Sequence, residues 1–394
     1  MKKLNAPEIK VLRIINRFNL GGPIYNVTFL SKFLPSNYET KLVGGCAINT
    51  EFDARFILQN YEISAEILPS MSRKINLIDD FKAFIQIVRI IKSFKPDIVH
   101  THASKAGILG RIAARLMGVP VIVHTYHGHV FHGYFHPMIN RIIVFIERLL
   151  GKISTTIITI SSTQYTEITD TYRIVPSNKA CIIPLGFDLT RFEASKVNRD
   201  TIRKELNLKS NQTAVAIVGR LAPIKNHHLF IDAAAITHKK HPEEFIFFII
   251  GDGELRDALK SYVSNSYPTL VNSIVFMSWV KDMTGCYPAM DIVCLTSLNE
   301  GTPVSLIEAQ ASGIPVISTN VGGVKDIIVE KKTGIILKEK SAEELSKHLI
   351  DLHINENLRV KMSQNACNFV KEQFSYQRLV TDVDLLYKRL LVNE

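Results

Sequence analysis

The stretch that decides the fold runs from residue 291 to residue 318. It opens with a short apolar run at 291–295 and continues through Thr296-Ser297-Leu298-Asn299-Glu300-Gly301. It then reads Thr302-Pro303-Val304-Ser305-Leu306-Ile307-Glu308-Ala309-Gln310-Ala311-Ser312-Gly313 before a second apolar run at 315–318. Short β-branched runs with a helix-length segment between them suit parallel strands buried on both faces. Thr302 is a good N-cap and Pro303 fits a first helical turn, so the spacing predicts a helix starting there.

The same rhythm extends outward in both directions. Strand-like runs lie at 8–15, 97–102, 120–125, 155–160 and 180–184, with helical patterns near 25–34, 79–95, 105–117, 137–152 and 162–173. It restarts at 214–218, 245–250, 273–276, 291–295, 315–318 and 334–337. Such alternation means α/β architecture with two Rossmann-like, doubly wound parallel sheets. A polar stretch at about 185–211 carries no strand pattern. It divides the chain into an N-terminal domain, 1–190, and a C-terminal domain, 191–375. An amphipathic helix in 376–394 is expected to cross back to the first. Ligands of two facing domains of this kind are expected in the cleft between them, at the carboxyl ends of the strands.

Composition narrows the class. With 394 residues, 46% hydrophobic and 21% charged, the chain is neither disordered nor fibrous. Five cysteines, an odd number without CxxC spacing, argue against a disulfide framework and for a reducing compartment. The formal net charge of +10 points to an anionic partner. Glu8, Lys10 and Arg13 interrupt any leader-like apolar run, and Glu147 and Arg148 interrupt the apolar 142–150 segment. No membrane-spanning helix is expected, and the reading is a cytoplasmic protein.

Four constellations sit just after strands. Gly21-Gly22 precedes a helix and either makes a tight turn or lets backbone approach an anion. Gly219-Arg220 with Lys225 places two cations around one turn, as a diphosphate clamp or as solvated surface charge. Gly251 sits in a Gly251-Asp252-Gly253 turn. Glu300 and Glu308 flank the start of the predicted helix, whose free N–H groups favour a phosphate while the carboxylates receive hydroxyls. A fifth signal is His124, His127, His129, His132 and His136. No acidic or cysteine ligand is interleaved, so a metal is not expected, and His127-Gly128 reads as a ligand-contacting histidine.

Glu300 and Glu308 within this stretch resemble the retaining GT-B glycosyltransferases of family 4, the bacterial surface-polysaccharide type among them. Gly219-Arg220 with Lys225, residues 183–188 with Phe192, Gly322-Gly323, His127-Gly128 and Gly21-Gly22 match in order. The resemblance implies a nucleotide-sugar donor, UDP-linked first and GDP-linked next, bound by the second domain. Arg220 and Lys225 would hold the diphosphate, Glu300 the sugar and Glu308 the ribose. Gly301, Thr302, Pro303 and Val304 would offer backbone to sugar or phosphate, and Val280 would lie at the base. His127 would touch the donor sugar near the reacting carbon, and Gly21 and Gly22 would close on the diphosphate. Catalysis would be metal-independent, without a cofactor.

The acceptor, a sugar or a lipid-linked sugar, would meet the first domain, with Lys105, Tyr126 and His129 as candidate walls. A nucleotide-sugar hydrolase or epimerase and a non-catalytic anion-binding protein are the alternatives. Cationic stretches here lack interleaved aromatics, so nucleic acid is not a partner. The amphipathic 137–152 stretch with Arg73, Lys74, Lys92 and Lys95 reads either as a contact for an anionic membrane surface or as a solvated helix face.

Overall fold

The computed structural model describes residues 9–19, 21–47, 53–72, 76–128, 137–194 and 199–392. The chain forms two compact units, Met1–Phe187 with Phe374–Glu394, and Asp188–Gln373. In the first unit the strands are β1 (Ile9–Arg17), β2 (Tyr38–Gly45), β3 (Ala65–Ile67), β4 (Ile98–His102), β5 (Val121–Thr125), β6 (Thr156–Thr159) and β7 (Ala180–Ile182). Its helices are α1 (Gly22–Phe33), α2 (Arg55–Asn60), α3 (Leu77–Phe94), α4 (Ser104–Leu116), α5 (Pro137–Ile153) and α6 (Ser162–Thr166). The sheet is parallel with order β3-β2-β1-β4-β5-β6-β7.

The second unit begins with α7 (Thr190–Ala194) and α8 (Arg199–Glu205). It continues through β8 (Thr213–Val218), α9 (His227–Lys240), β9 (Phe245–Ile250), α10 (Arg256–Ser266), β10 (Ile274–Met277), β11 (Ile292–Leu295) and α11 (Val304–Ala311). β12 (Val316–Thr319), α12 (Val324–Ile327), β13 (Gly334–Leu337), α13 (Ala342–Ile354) and α14 (Glu356–Phe374) follow. Its parallel sheet has order β10-β9-β8-β11-β12-β13. α15 (Tyr376–Val392) returns to the first unit, where Leu379, Val380, Val383, Leu386 and Tyr387 pack against Val11, Ile98, Val121 and Ile158 of that sheet.

Both sheets reverse direction at their first strand, between β1 and β4 and between β8 and β11. Loops splay apart there at the carboxyl ends, which is where open α/β sheets take ligands. The first sheet has two strands that the pattern did not reveal. β2 interleaves half-buried Glu39 and Lys41 with apolar residues, and β3 is a three-residue edge strand. Neither carries the unbroken apolar run of a strand buried on both faces. The polar break, which carries no strand pattern, holds two short helices, α7 and α8. Arg203 of α8 is buried and fastened to Asp291 at 3.1 Å and to three backbone carbonyls.

All five cysteines are unpaired. Among the described residues no helix is long and apolar enough to cross a membrane.

Candidate functional site

At the β8/β11 reversal the chain leaves β8 through Gly219 and Arg220. Gly251, after β9, presses its backbone against the Gly219 carbonyl. Any side chain there would collide with that oxygen, and its φ of +145° is also a glycine conformation. Arg220 is exposed, with no side-chain partner among the described residues. The Lys225 side chain reaches back to within 3.8 Å of where a Gly219 Cβ would lie. Its Nζ donates to Glu300 Oε1 at 2.6 Å, and Ser297 Oγ donates to the same oxygen at 2.6 Å. Thr296 Oγ1 holds the Lys225 and Asn226 carbonyls at 3.1 and 3.0 Å, stitching the β8 loop to the end of β11. The two residues expected to serve separate parts of a donor are thus a direct ion pair here. With side-chain exposures of 24% and 12%, the pair is screened enough from water to be specific in geometry.

The helix after this loop starts later than expected. α11 begins at Val304, and Pro303 occupies the cap position with extended ψ of 98°, no side chain capping it. Thr302 does not serve as N-cap. The loop is anchored before it by Gly323 N–H to Gly301 C=O at 3.1 Å, which carries the chain extended through Pro303. Glu308 lies in the second turn. Burial raises its pKa to about 7, Arg191 at 3.8 Å opposes this, and Asp282 adds to it. Val280 follows Trp279, whose N–H donates to Asp252 Oδ2 at 2.7 Å; Asp252 also pairs with Arg256 at 2.6 Å. Asp252 is therefore a structural turn residue, while Gly251 and Val280 flank the strand ends of the site.

In the first unit Gly21 caps α1 without a side chain, and a Cβ on Gly22 would come within 2.9 Å of Leu185. His127 follows β5. Its Nε2 lies 2.9 Å from His102 Nδ1 at the end of β4, while its Nδ1 is buried and unpartnered. Burial lowers its pKa to about 3, so it acts as a neutral hydrogen-bonding group. Behind it, His100 links Tyr387 and Thr125 at 2.7 Å each, and buried Arg13 donates to Tyr387 at 2.8 Å. His124 is also core, bonded to Thr101 Oγ1 at 2.8 Å. An imidazole ladder stands where the sequence showed one candidate. The His102 partner was missed because it lies on β4, 25 residues before His127, and no local spacing joins the two.

Two acceptor-side candidates are held by partners within the first unit. Tyr126 is 2% exposed and donates to Glu147 Oε2 at 2.6 Å, which Arg111 also holds at 2.7 Å. Its hydroxyl is thus committed to the Arg111–Glu147 pair in the core. Lys105 is half-buried and tied to Asp80 at 2.6 Å, fixing α4 to α3. His129, His132 and His136 lie outside the described residues, as do Arg73 and Lys74. Among the described residues one trio, His241, Glu244 and His353, has metal-ligand geometry. It sits at the amino ends of β8 and β9, beside Thr213 and away from the loops above.

Two parallel-sheet α/β units in one chain are the architecture of the GT-B glycosyltransferases. Residues 47–191 match the family model Glycosyltransferase Family 4, and 198–369 match Glycosyl transferases group 1. The chain belongs to this glycosyltransferase family and is an enzyme of that class. It is 33% identical to the Escherichia coli UDP-Gal:alpha-D-GlcNAc-diphosphoundecaprenol alpha-1,3-galactosyltransferase, over 88% of this chain and 91% of that one. A capsular polysaccharide biosynthesis glycosyltransferase of Staphylococcus aureus, CapM, is 25% identical over 83% and 85%. In fold it is similar to Anabaena Alr3699/HepE, solved in complex with UDP, at TM-score 0.82 and 18% identity, covering 97% of this chain and all of that one.

Proposed function

We propose that this enzyme moves a hexosyl group from a UDP-sugar to a lipid-diphosphate-linked sugar, with retention at the anomeric carbon, during assembly of a bacterial surface polysaccharide. The observation that carries this is the Lys225–Glu300 pair beside exposed Arg220 at the β8/β11 reversal. Two cations there can meet a diphosphate, and the carboxylate beside them can accept sugar hydroxyls. The Escherichia coli relative's own donor and acceptor support the choice of UDP and of a lipid-linked acceptor.

In this reading Lys225 exchanges Glu300 for the diphosphate when donor binds. That releases Glu300 to the sugar. Arg220 and the N-terminus of α11, with Gly301, Thr302, Pro303 and Val304 at its approach, share the charge of the leaving group. The protein's own cations neutralise it without a divalent ion. Glu308 accepts from ribose hydroxyls, Val280 borders the base, and Gly21-Gly22 gives backbone to the diphosphate. His127, neutral, offers its unpartnered Nδ1 to the sugar. The C1–O bond to the diphosphate breaks as the acceptor oxygen bonds to C1 from the same face, and the acceptor's proton passes to the departing diphosphate oxygen. An acceptor on a lipid carrier places the reaction at a membrane surface.

The test is direct. UDP-, GDP- and ADP-sugars are screened by thermal shift, and transfer to a lipid-diphosphate sugar is followed with the product anomer read by NMR. A melt stabilised by UDP-sugars alone, with an α product from an α donor, is expected. Lys225→Ala should lower turnover by roughly two to three orders of magnitude while changing nucleotide affinity far less. Unchanged turnover, or an inverted product, overturns the reading.

A further inference from the structure

The amino ends of β8 and β9 form the pole of the second sheet away from its donor loops, and three metal-ligating side chains converge there. His241 closes α9, its N–H donating to Thr237 C=O at 2.9 Å. Glu244 directly precedes β9, and His353 is the last residue but one of α13. Their ligand atoms all lie within 4.8 Å of one another. Glu244 Oε2 is 2.7 Å from His353 Nε2, and its Oε1 is 3.4 Å from His241 Nδ1. Donor atoms about 2.1 Å from a tetrahedral zinc ion sit roughly 3.4 Å apart. The His241 edge already has that length, and the His353 edge needs to open by less than an ångström.

The surrounding residues hold these side chains in place. Thr213, the first residue of β8, donates its N–H to Glu244 C=O at 2.8 Å, and its Oγ1 lies 2.7 Å from His353 Nδ1. A metal-ligating imidazole usually gives its other ring N–H to such an oxygen, which fixes the ring and leaves the remaining nitrogen for the ion. The buried Phe245 ring stands 4.7 Å from the His353 ring, and Arg359 donates to the Leu352 and His353 carbonyls at 2.9 and 3.3 Å. Thr237 Oγ1 donates to Ser346 Oγ at 2.8 Å and so joins α9 to α13. His353 alone would satisfy one Glu244 oxygen. The second histidine, 3.4 Å from the other oxygen, makes a poor hydrogen bond but a good edge of a coordination shell.

Donor chemistry selects the ion. Two imidazoles and one carboxylate suit a borderline transition metal, zinc first, whereas magnesium and calcium take oxygen donors. Side-chain exposures of 26%, 42% and 16% for His241, Glu244 and His353 leave an entry path and room for water as a fourth ligand. We infer that His241, Glu244 and His353 bind one Zn²⁺ ion, which clasps the ends of α9 and α13 to the start of β9. The ion takes no part in sugar transfer, whose residues stand at the carboxyl ends of the same sheet, and the site does not depend on which donor is used.

Zinc titration of the chelator-stripped full chain tests this, by calorimetry and by melting. The chain should take up a tight equivalent of Zn²⁺, and its melting temperature should rise with zinc but not with magnesium. Glu244→Gln and His353→Gln should each weaken zinc affinity by about a hundredfold or more, and Thr213→Val by about tenfold. His241→Asn removes only a 3.4 Å contact, so it should fold as the native chain does and still lose the tight equivalent. Co²⁺ in place of zinc should show the strong visible absorption of a tetrahedral ion, absent from His241→Asn. The thermal shift with UDP-sugar should be the same with and without zinc, which separates a failure here from a failure of the donor reading. No tight uptake, uptake that the ligand variants keep, or an octahedral cobalt spectrum would each overturn the inference.

Discussion

Glu308 shows how one residue gains a pH response from its surroundings. Its folded pKa of about 7 lies above the ordinary carboxylate value, because the packed protein penalises the charged form. The sign follows: below the unfolded pKa the carboxyl is neutral in both states and costs nothing. As pH rises from about 4.5 toward about 7 the unfolded chain ionises while the folded carboxyl stays neutral. Stability falls across that window, by at most ~3 kcal/mol, and levels off above it. Ribose hydroxyls favour the ionised acceptor, so donor affinity should tighten from pH 6 to pH 8. Glu308→Gln should flatten that profile and remove the stability loss at high pH; titration calorimetry and melts across pH measure both. His102 offers a second residue-scale expectation. His102→Phe keeps a ring against His127 but deletes its 2.9 Å hydrogen bond. Turnover should drop about tenfold, the worth of one such bond, with UDP affinity unchanged. Parallel losses in both would make His102 structural only. Glu300 and Glu308 were legible because their spacing around a helix start is local. The Lys225–Glu300 pair and the His102–His127 contact were not, since each joins loops far apart in sequence.

Among the elements, α4, α5 and β5 are locked by Arg111, Glu147 and Tyr126, with side chains of the ion pair 0% and 3% exposed. Removing one member strands a buried charge. Glu147→Ala should therefore cost ~3–5 kcal/mol in urea unfolding, and adding Arg111→Met should return part of it. If the double variant is no more stable than the single, the pair is not the source. Strands β8, β9 and β11 were readable because their apolar runs are nearly continuous, and β4, β5 and β12 because a β-branched start follows a turn signal. β2 and β3 were not, because an edge or half-covered strand mixes charge into its pattern and owes its existence to its neighbour's backbone. The late start of α11 belongs here too. Thr302 has the right chemistry for a cap, yet the Gly323–Gly301 hydrogen bond outweighs propensity and moves the cap to Pro303.

Across the whole molecule, the crossing of α15 joins the two ends of the chain. Gly186 permits it: a Cβ there would approach Leu379 Cβ at 2.6 Å and Tyr376 Cα at 2.9 Å. Phe187 N–H donates to Phe374 C=O at 2.8 Å, and Tyr376 N–H to Phe187 C=O at 3.0 Å, pinning the return. Five buried side chains of α15 stabilise the first unit by on the order of 10 kcal/mol, comparable to a domain's whole stability. Ending the chain at residue 375 should leave the first unit unfolded, seen as lost protection of β1 and β4 in hydrogen exchange. Native-like protection would contradict this account.

The sequence by itself determined the layered α/β class, the two strand series, the family resemblance and the loops that carry Gly219, Arg220, Lys225, Glu300 and Glu308. These are local signals, set by apolar periodicity and by residue types in short turns. Only the tertiary structure decided that Lys225 rests on Glu300, that Tyr126 and Lys105 are internal ties, and that His102 holds His127. It alone also brought His241 and Glu244 to His353. Such facts depend on which distant segments meet, and burial then sets the charge state and partners of each group that chain order leaves open.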